Sequence, residues 1–300
     1  MTKTSFILLI STLLLTACGQ RTSEKIDLED VEIAKIQISA ETMVDIIQNI
    51  ASPVEVASLI NSLHIPFSSS NLPNPKILSA EGNPLDLAYH LGILYSDFAY
   101  INIYEQTGLV ERFLTSIDEL TTTLHIGQYF DLATIRRMSA SGSSMDSLMY
   151  ISINSFNQMG NYLRESNHGD QSALLIAGAW MEGLYLATQA TLQNDNEHLR
   201  NMIGDQKLIL NDLLLVLNFY NSESLMKAYI ADLEKIMSFY DEVEIISVVG
   251  DPEPTEKDGM LEMVQSETSQ LLMSDEVLDQ ITEATAEVRN SHLNIKTQVK

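Results

Sequence analysis

The chain has 300 residues, 45% of them hydrophobic, and its 41 acidic residues against 17 Lys and Arg give a formal net charge of −24. That balance argues against nucleic acid, whose phosphates call for a basic surface, and against peripheral binding to anionic head groups. The apolar fraction is too high for a disordered acidic tail, so the charge reads as a solubility device, with recruitment of a cationic partner as the alternative.

In chain order, Lys3 is followed by an apolar run from Phe6 to Ala17. A membrane-spanning helix needs roughly 20 apolar residues, so this run fits the core of a signal peptide over 1–17. Leu15-Thr16-Ala17-Cys18 resembles the lipobox of bacterial lipoproteins. The resemblance implies that Cys18 carries a diacylglyceryl group, that the signal is cut before it, and that its amine is acylated. Two or three acyl chains hold a protein on a bilayer where one does so only marginally. Cys18 is the only cysteine, so no intramolecular disulfide is available. Gly19 stands where enterobacterial lipoproteins retained in the inner membrane have aspartate, which favours the outer membrane. Residues 18–38 are the anchor and a polar, acidic tether, leaving 39–300 as a single helical domain.

A helix is expected over about 40–50. Ser52-Pro53-Val54-Glu55 opens another with a Ser cap, Pro at the first helical position and a closing Glu. Ile65 to Gly82, with Pro66, Pro73 and Pro75, reads as a long surface loop. Asn83-Pro84 starts a helix to about Gln106. Further helices are expected at about 109–125, 130–140, 144–167, 170–193, 196–220 and 222–243, with Gly108, Gly127, Gly142 and Gly169 at the joints. Short joints imply antiparallel neighbours. Val243 to Val249 is β-prone, and Met260–Val264 with Gln270–Met273 suggests a small hairpin. Ser274 caps a last amphipathic helix to about Ser291. The expectation is an all-α, antiparallel multi-helix bundle with a minor β-hairpin near the C-terminus.

Two helices are apolar almost all round. Ala173 to Leu192 carries Glu182 as its only charge, and Leu87 to Tyr104 carries, tyrosines aside, only His90 and Asp97 as ionisable residues. A mid-helix carboxylate is costly in lipid, so both are expected at the centre of a bundle. Ala88-Tyr-His-Leu-Gly-Ile-Leu-Tyr-Ser96 can be laid over Ala179-Trp-Met-Glu-Gly-Leu-Tyr-Leu-Ala187, which allows two similar halves. Ala88, Gly92, Ser96 and Ala179, Gly183, Ala187 form small-residue stripes along which two helices can approach closely.

Asn83-Pro84, the Leu-Gly-x-x-Tyr-Ser-Asp-x-Ala-Tyr run of 91–100, and Ala177-Gly-Ala-Trp-Met-Glu-Gly-Leu-Tyr-Leu-Ala-Thr-Gln189 are similar to a family of uncharacterised helical lipoproteins common in Bacteroidota. The resemblance spans Ser52-Pro53 through the final helix and implies the lipobox and the all-α fold. The family has no established activity, so it carries over no catalytic residue.

His90, Asp97 and Glu182 are candidates for a ligand site because burial shifts such groups toward useful pKa values. If the two helices face one another, Tyr95, Tyr185 and Gln189 complete the cluster. The same residues equally suit a structural polar network that fixes helix register. No metal or cofactor signature occurs: Glu165-Ser-Asn-His168 is a lone spacing, and Asp195-Asn-Glu-His198 reads as a helix cap. No catalytic residue is assigned. The expected role is a lipid-anchored binding or scaffolding module of the cell envelope with a protein, peptide or glycan partner. The alternative is a small-ligand receptor or an enzyme with its site between the two central helices.

Overall fold

Short polar side chains start the helices where the sequence places them. Asn83 accepts from the Leu85 amide at 2.8 Å ahead of Pro84, Asn196 from His198 at 2.8 Å, and Ser274 from Val277 at 3.2 Å. Each satisfies an amide that the first helical turn leaves without a partner. The computed structural model describes residues 53–294 apart from 79–80, 142–144, 250–252, 258–259 and 265–266. Cys18, the leader, the tether and the helix expected at 40–50 lie outside the described residues.

The described helices are α1 (Pro53–Ser62), α2 (Pro84–Ile103), α3 (Thr107–Thr123), α4 (Leu132–Ser141), α5 (Met145–Glu165), α6 (Gly169–Thr191), α7 (Glu197–Phe219), α8 (Ser224–Tyr240) and α9 (Asp275–His292). None of them is long and apolar enough to cross a membrane. The fold is an all-α bundle with a small β element before α9. The left-handed non-glycine positions among the described residues are His64, Glu105, His125, Asn167 and Asn294, each two residues past a helix end. The predicted punctuating glycines instead begin or nearly begin the following element, as Gly108, Gly127 and Gly169 do.

α2 and α6 form the centre. Every residue from Leu91 to Ile103 and from Ser172 to Thr188 is buried. α1, α5, α7 and α9 pack around α6, while α1, α3 and α5 pack on α2. The two backbones touch: a Cβ on Gly92 would lie 2.0 Å from the Leu175 carbonyl oxygen, and one on Gly178 would lie 2.0 Å from that of Tyr89. Each glycine thus meets the carbonyl three residues before the other, and Ser96 Oγ donates to Ala179 O at 2.8 Å. Contacts advance together along both helices, Gly92 at Gly178, Ser96 at Ala179 and Asp97 at Glu182, so the two run in the same direction. The close partner of Gly92 is therefore Gly178, not the Gly183 that the sequence alignment pairs with it. Gly183 faces α1, with Val56 Cγ2 3.6 Å from where its Cβ would be.

The β element also differs from expectation. β1 (Glu244–Val249) pairs antiparallel with β4 (Glu267–Leu272), and β2 (Glu253–Lys257) pairs with β3 (Met260–Val264) inside them. Met260–Val264 and Gln270–Met273 therefore do not pair with one another. Leu271 of β4 seats this element on α7, with Cδ1 2.3 Å from where a Cβ on Gly204 would stand. Only glycine leaves that space.

The loop after α1 is pinned rather than free. Tyr104 Oη donates to Ile65 O at 2.6 Å, the Ser68 amide donates to Tyr100 Oη at 3.1 Å, and Phe67 stacks on Tyr100 at 5.1 Å.

Candidate functional site

The polar residues that stand out in the sequence fall into two places. The first is sealed in the core. Glu182 is 0% exposed and receives a two-pronged pair from Arg289 of α9: Nε to Oε2 at 2.8 Å and Nη2 to Oε1 at 2.6 Å. The same Nη2 reaches Asn71 O at 3.1 Å, and the guanidinium lies 4.2 Å from the Tyr185 ring centre. Asp97, also 0% exposed, sits beside both partners; no described residue donates to its oxygens, and in its protonated form it hydrogen-bonds to Glu182. Burial above all, and then the charge of Glu182, push its pKa well above the ordinary carboxylate range, with Arg289 opposing. One guanidinium thus faces one paired carboxylate and one neutral acid, and the cluster is close to electroneutral.

Tyr95 and Gln189 do not join it. Tyr95 stacks on Phe156 of α5 at 4.2 Å with its hydroxyl buried and unpartnered, and Gln189 lies part-exposed two turns beyond Glu182. His90 does not join it either. It sits two turns before Asp97, about 10 Å along the helix axis.

His90 belongs to the second place, a solvent-open cavity of about 200 Å³ between α2, α8 and α9. Asp86, His90, Tyr229, Asp232, Ser291, His292 and Asn294 line its polar side, and Leu225 and Ala228 its apolar side. His292 Nε2 lies 3.0 Å from Asp232 Oδ2, and its Nδ1 lies 2.9 Å from Tyr89 Oη. Asp232 only accepts, so Nε2 carries the proton, and Nδ1 accepts from the tyrosine hydroxyl. Lys235 Nζ sits 3.0 Å from the other Asp232 oxygen. Burial would raise Asp232, but the bonds from His292 and Lys235 hold it below the ordinary range. Tyr229 Oη donates to Asp86 Oδ1 at 2.7 Å. His90 Nε2 donates to the His292 carbonyl at 3.2 Å, which leaves Nδ1 as a bare, buried acceptor without a partner. Burial lowers the pKa of both histidines, keeping each neutral.

The chain Asp232–His292–Tyr89 has the hydrogen-bond logic of a nucleophilic triad. Its terminal hydroxyl, however, is 0% exposed, and burial, followed by the charge of Glu182, drives its pKa well above the ordinary tyrosine value. A hydroxyl closed to solvent in this way meets no substrate in this structure. Among the described residues no group of three or more His, Cys, Asp or Glu side chains is placed to hold a metal ion.

Sequence reasoning missed Arg289, His292, Asp232 and Asp86. For α9 a signal was present: Ile281, Thr285, Val288 and Arg289 share the buried face, so the arginine occupies an apolar position. Comparison with known protein families, curated proteins and solved structures finds no match.

Proposed function

We propose that the protein is a lipid-anchored helical binding module of the bacterial cell envelope. Cys18 ties it to a membrane, favoured by Gly19 to be the outer one, and the α2/α8/α9 pocket is the seat for its protein, peptide or glycan partner. The lipobox resemblance and the resemblance to helical lipoproteins support the anchor. The observation that carries binding rather than turnover is the enclosure of the Tyr89 hydroxyl at the end of the Asp232–His292 chain, beside a cavity open to solvent. The alternative site between α2 and α6 has less support, because Glu182 and Asp97 are both sealed there.

The test has two readouts in intact cells. Metabolic labelling with a palmitate analogue marks the native chain and leaves Cys18→Ser unmarked; a native chain without label refutes the anchor. Cross-linking then compares the native chain with Ala228→Trp, a change at an exposed position of α8 that fills the pocket. A partner captured by the native chain and lost from the variant is the expected result, and capture indifferent to the variant refutes the pocket as the seat.

A further inference from the structure

We infer that the outer face of α7 docks an amphipathic helix of another protein, one whose apolar line is flanked by Lys or Arg. α7 takes no part in the α2/α8/α9 pocket, so this surface is separate from the binding reading above.

α7 carries apolar residues on two opposite sides. With about 100° between successive residues, the buried Leu199, Leu210, Leu213 and Leu217 gather on one side, toward the core. Leu208, Leu215 and Phe219 fall within about 40° of one another on the other side. Their exposures are 60%, 38% and 53%. A helix that only walls a core has a polar outer side, and this one does not. Isolated exposed leucines are ordinary, whereas a row of large apolar side chains along one helix line marks an interaction surface. Gly204 lies on the same line one turn before Leu208, and there Leu271 of β4 already covers it. From Leu208 to Phe219 the line runs uncovered for about 16 Å.

Charge selects the occupant. Asp205 and Asp212 stand three residues before Leu208 and Leu215, along one flank of the line. Neither forms an ion pair among the described residues. The cations of α7 are committed elsewhere, Arg200 to Asp195 and Asp275, and Lys207 to the Val243 carbonyl at 2.7 Å. A second copy would set the same carboxylates against each other, on chains that each carry a net charge of −24. Anionic head groups of a bilayer meet the same repulsion. A helix with an apolar line of matching spacing and Lys or Arg beside it fills the stripe and pairs the carboxylates together.

The test is fluorescence anisotropy with labelled peptides: a Leu/Lys amphipathic helix, its Leu/Glu counterpart, and a scrambled Leu/Lys sequence without helical period. The protein is the full-length chain with Cys18→Ser, which offers no thiol to a lipid and needs no detergent. Saturable binding of the Leu/Lys helix alone is expected. Leu208→Asn with Phe219→Asn is expected to weaken it about tenfold or more. Asp205→Asn with Asp212→Asn is expected to weaken it and to flatten its salt dependence. Tyr150→Asn, at an exposed position of α5, is expected to leave it unchanged. Thermal melts check that the variants are folded. Absence of Leu/Lys binding, equal binding of either control peptide, or undiminished binding in either folded double variant overturns the assignment. A dimer in sedimentation equilibrium that Phe219→Asn dissociates overturns it in favour of a second copy. Binding to phosphatidylcholine vesicles that the same change abolishes overturns it in favour of a bilayer. None of these outcomes bears on capture by the native chain and its loss in Ala228→Trp, so this surface and the pocket stand or fall separately.

Discussion

Asp97→Asn is expected to stabilise the protein at neutral pH, by an amount that depends on pH in a defined way. Asp97 is fully enclosed with no described residue donating to it, and its folded-state pKa is raised by burial, then by the charge of Glu182 and a hydrogen bond to it. In the unfolded chain the same carboxyl titrates near its ordinary value of about 3.9. Between that value and the raised folded one, the native state holds a proton that the unfolded state has released. Native stability therefore falls with rising pH by about 1.4 kcal/mol per unit from this group. The loss accumulates until pH reaches the raised folded-state value, and the isosteric amide does not incur it. Urea unfolding of the native chain and of Asp97→Asn at pH 4, 5, 6 and 7 measures the difference. The expected gain is near zero at pH 4 and grows as pH rises above it. A difference that stays flat across this range means Asp97 is ionised in the fold, and refutes the electrostatic account of the core.

Glu182→Gln leaves the Arg289 charge buried without its counter-ion and is expected to cost about 3–5 kcal/mol in urea unfolding, whereas Glu182→Leu with Arg289→Leu recovers most of that loss. Gly178→Ala places a methyl against the Tyr89 carbonyl and is expected to cost about 1–3 kcal/mol, with the melting temperature as readout. Glu105→Gly and His125→Gly relieve left-handed backbone at exposed positions. Each is expected to raise stability by about 1 kcal/mol in the same assay.

The sequence carried the helices well because their signals are local. Asn83, Asn196 and Ser274 are caps whose geometry involves only the next few residues. Short joints imply alternating directions, and α2 and α6, separated by three helices, do run the same way. Which residue meets which across that interface was less accessible. Both Gly178 and Gly183 suit a small-residue stripe, and only the placement of α1 against Gly183 leaves Gly178 for α2.

The strand pairing was misjudged for a traceable reason. Asp258-Gly259 is the strongest two-residue hairpin signal in that region, and the register Lys257↔Met260 brackets it. The polar candidates divided because two turns of α2 separate His90 from Asp97, and each met a different part of α9. An arginine near the end of an amphipathic helix suggests solvent unless its angular position is checked against Ile281 and Thr285. His292, one turn further on, needed the same check.

The pair Glu182–Arg289 joins residues 107 positions apart, and its guanidinium comes from the last described helix. The charge balance at the centre of the bundle therefore depends on α9 being docked. The same helix carries His292 to the pocket, so loosening α9 would unpair the core and dismantle the pocket wall together.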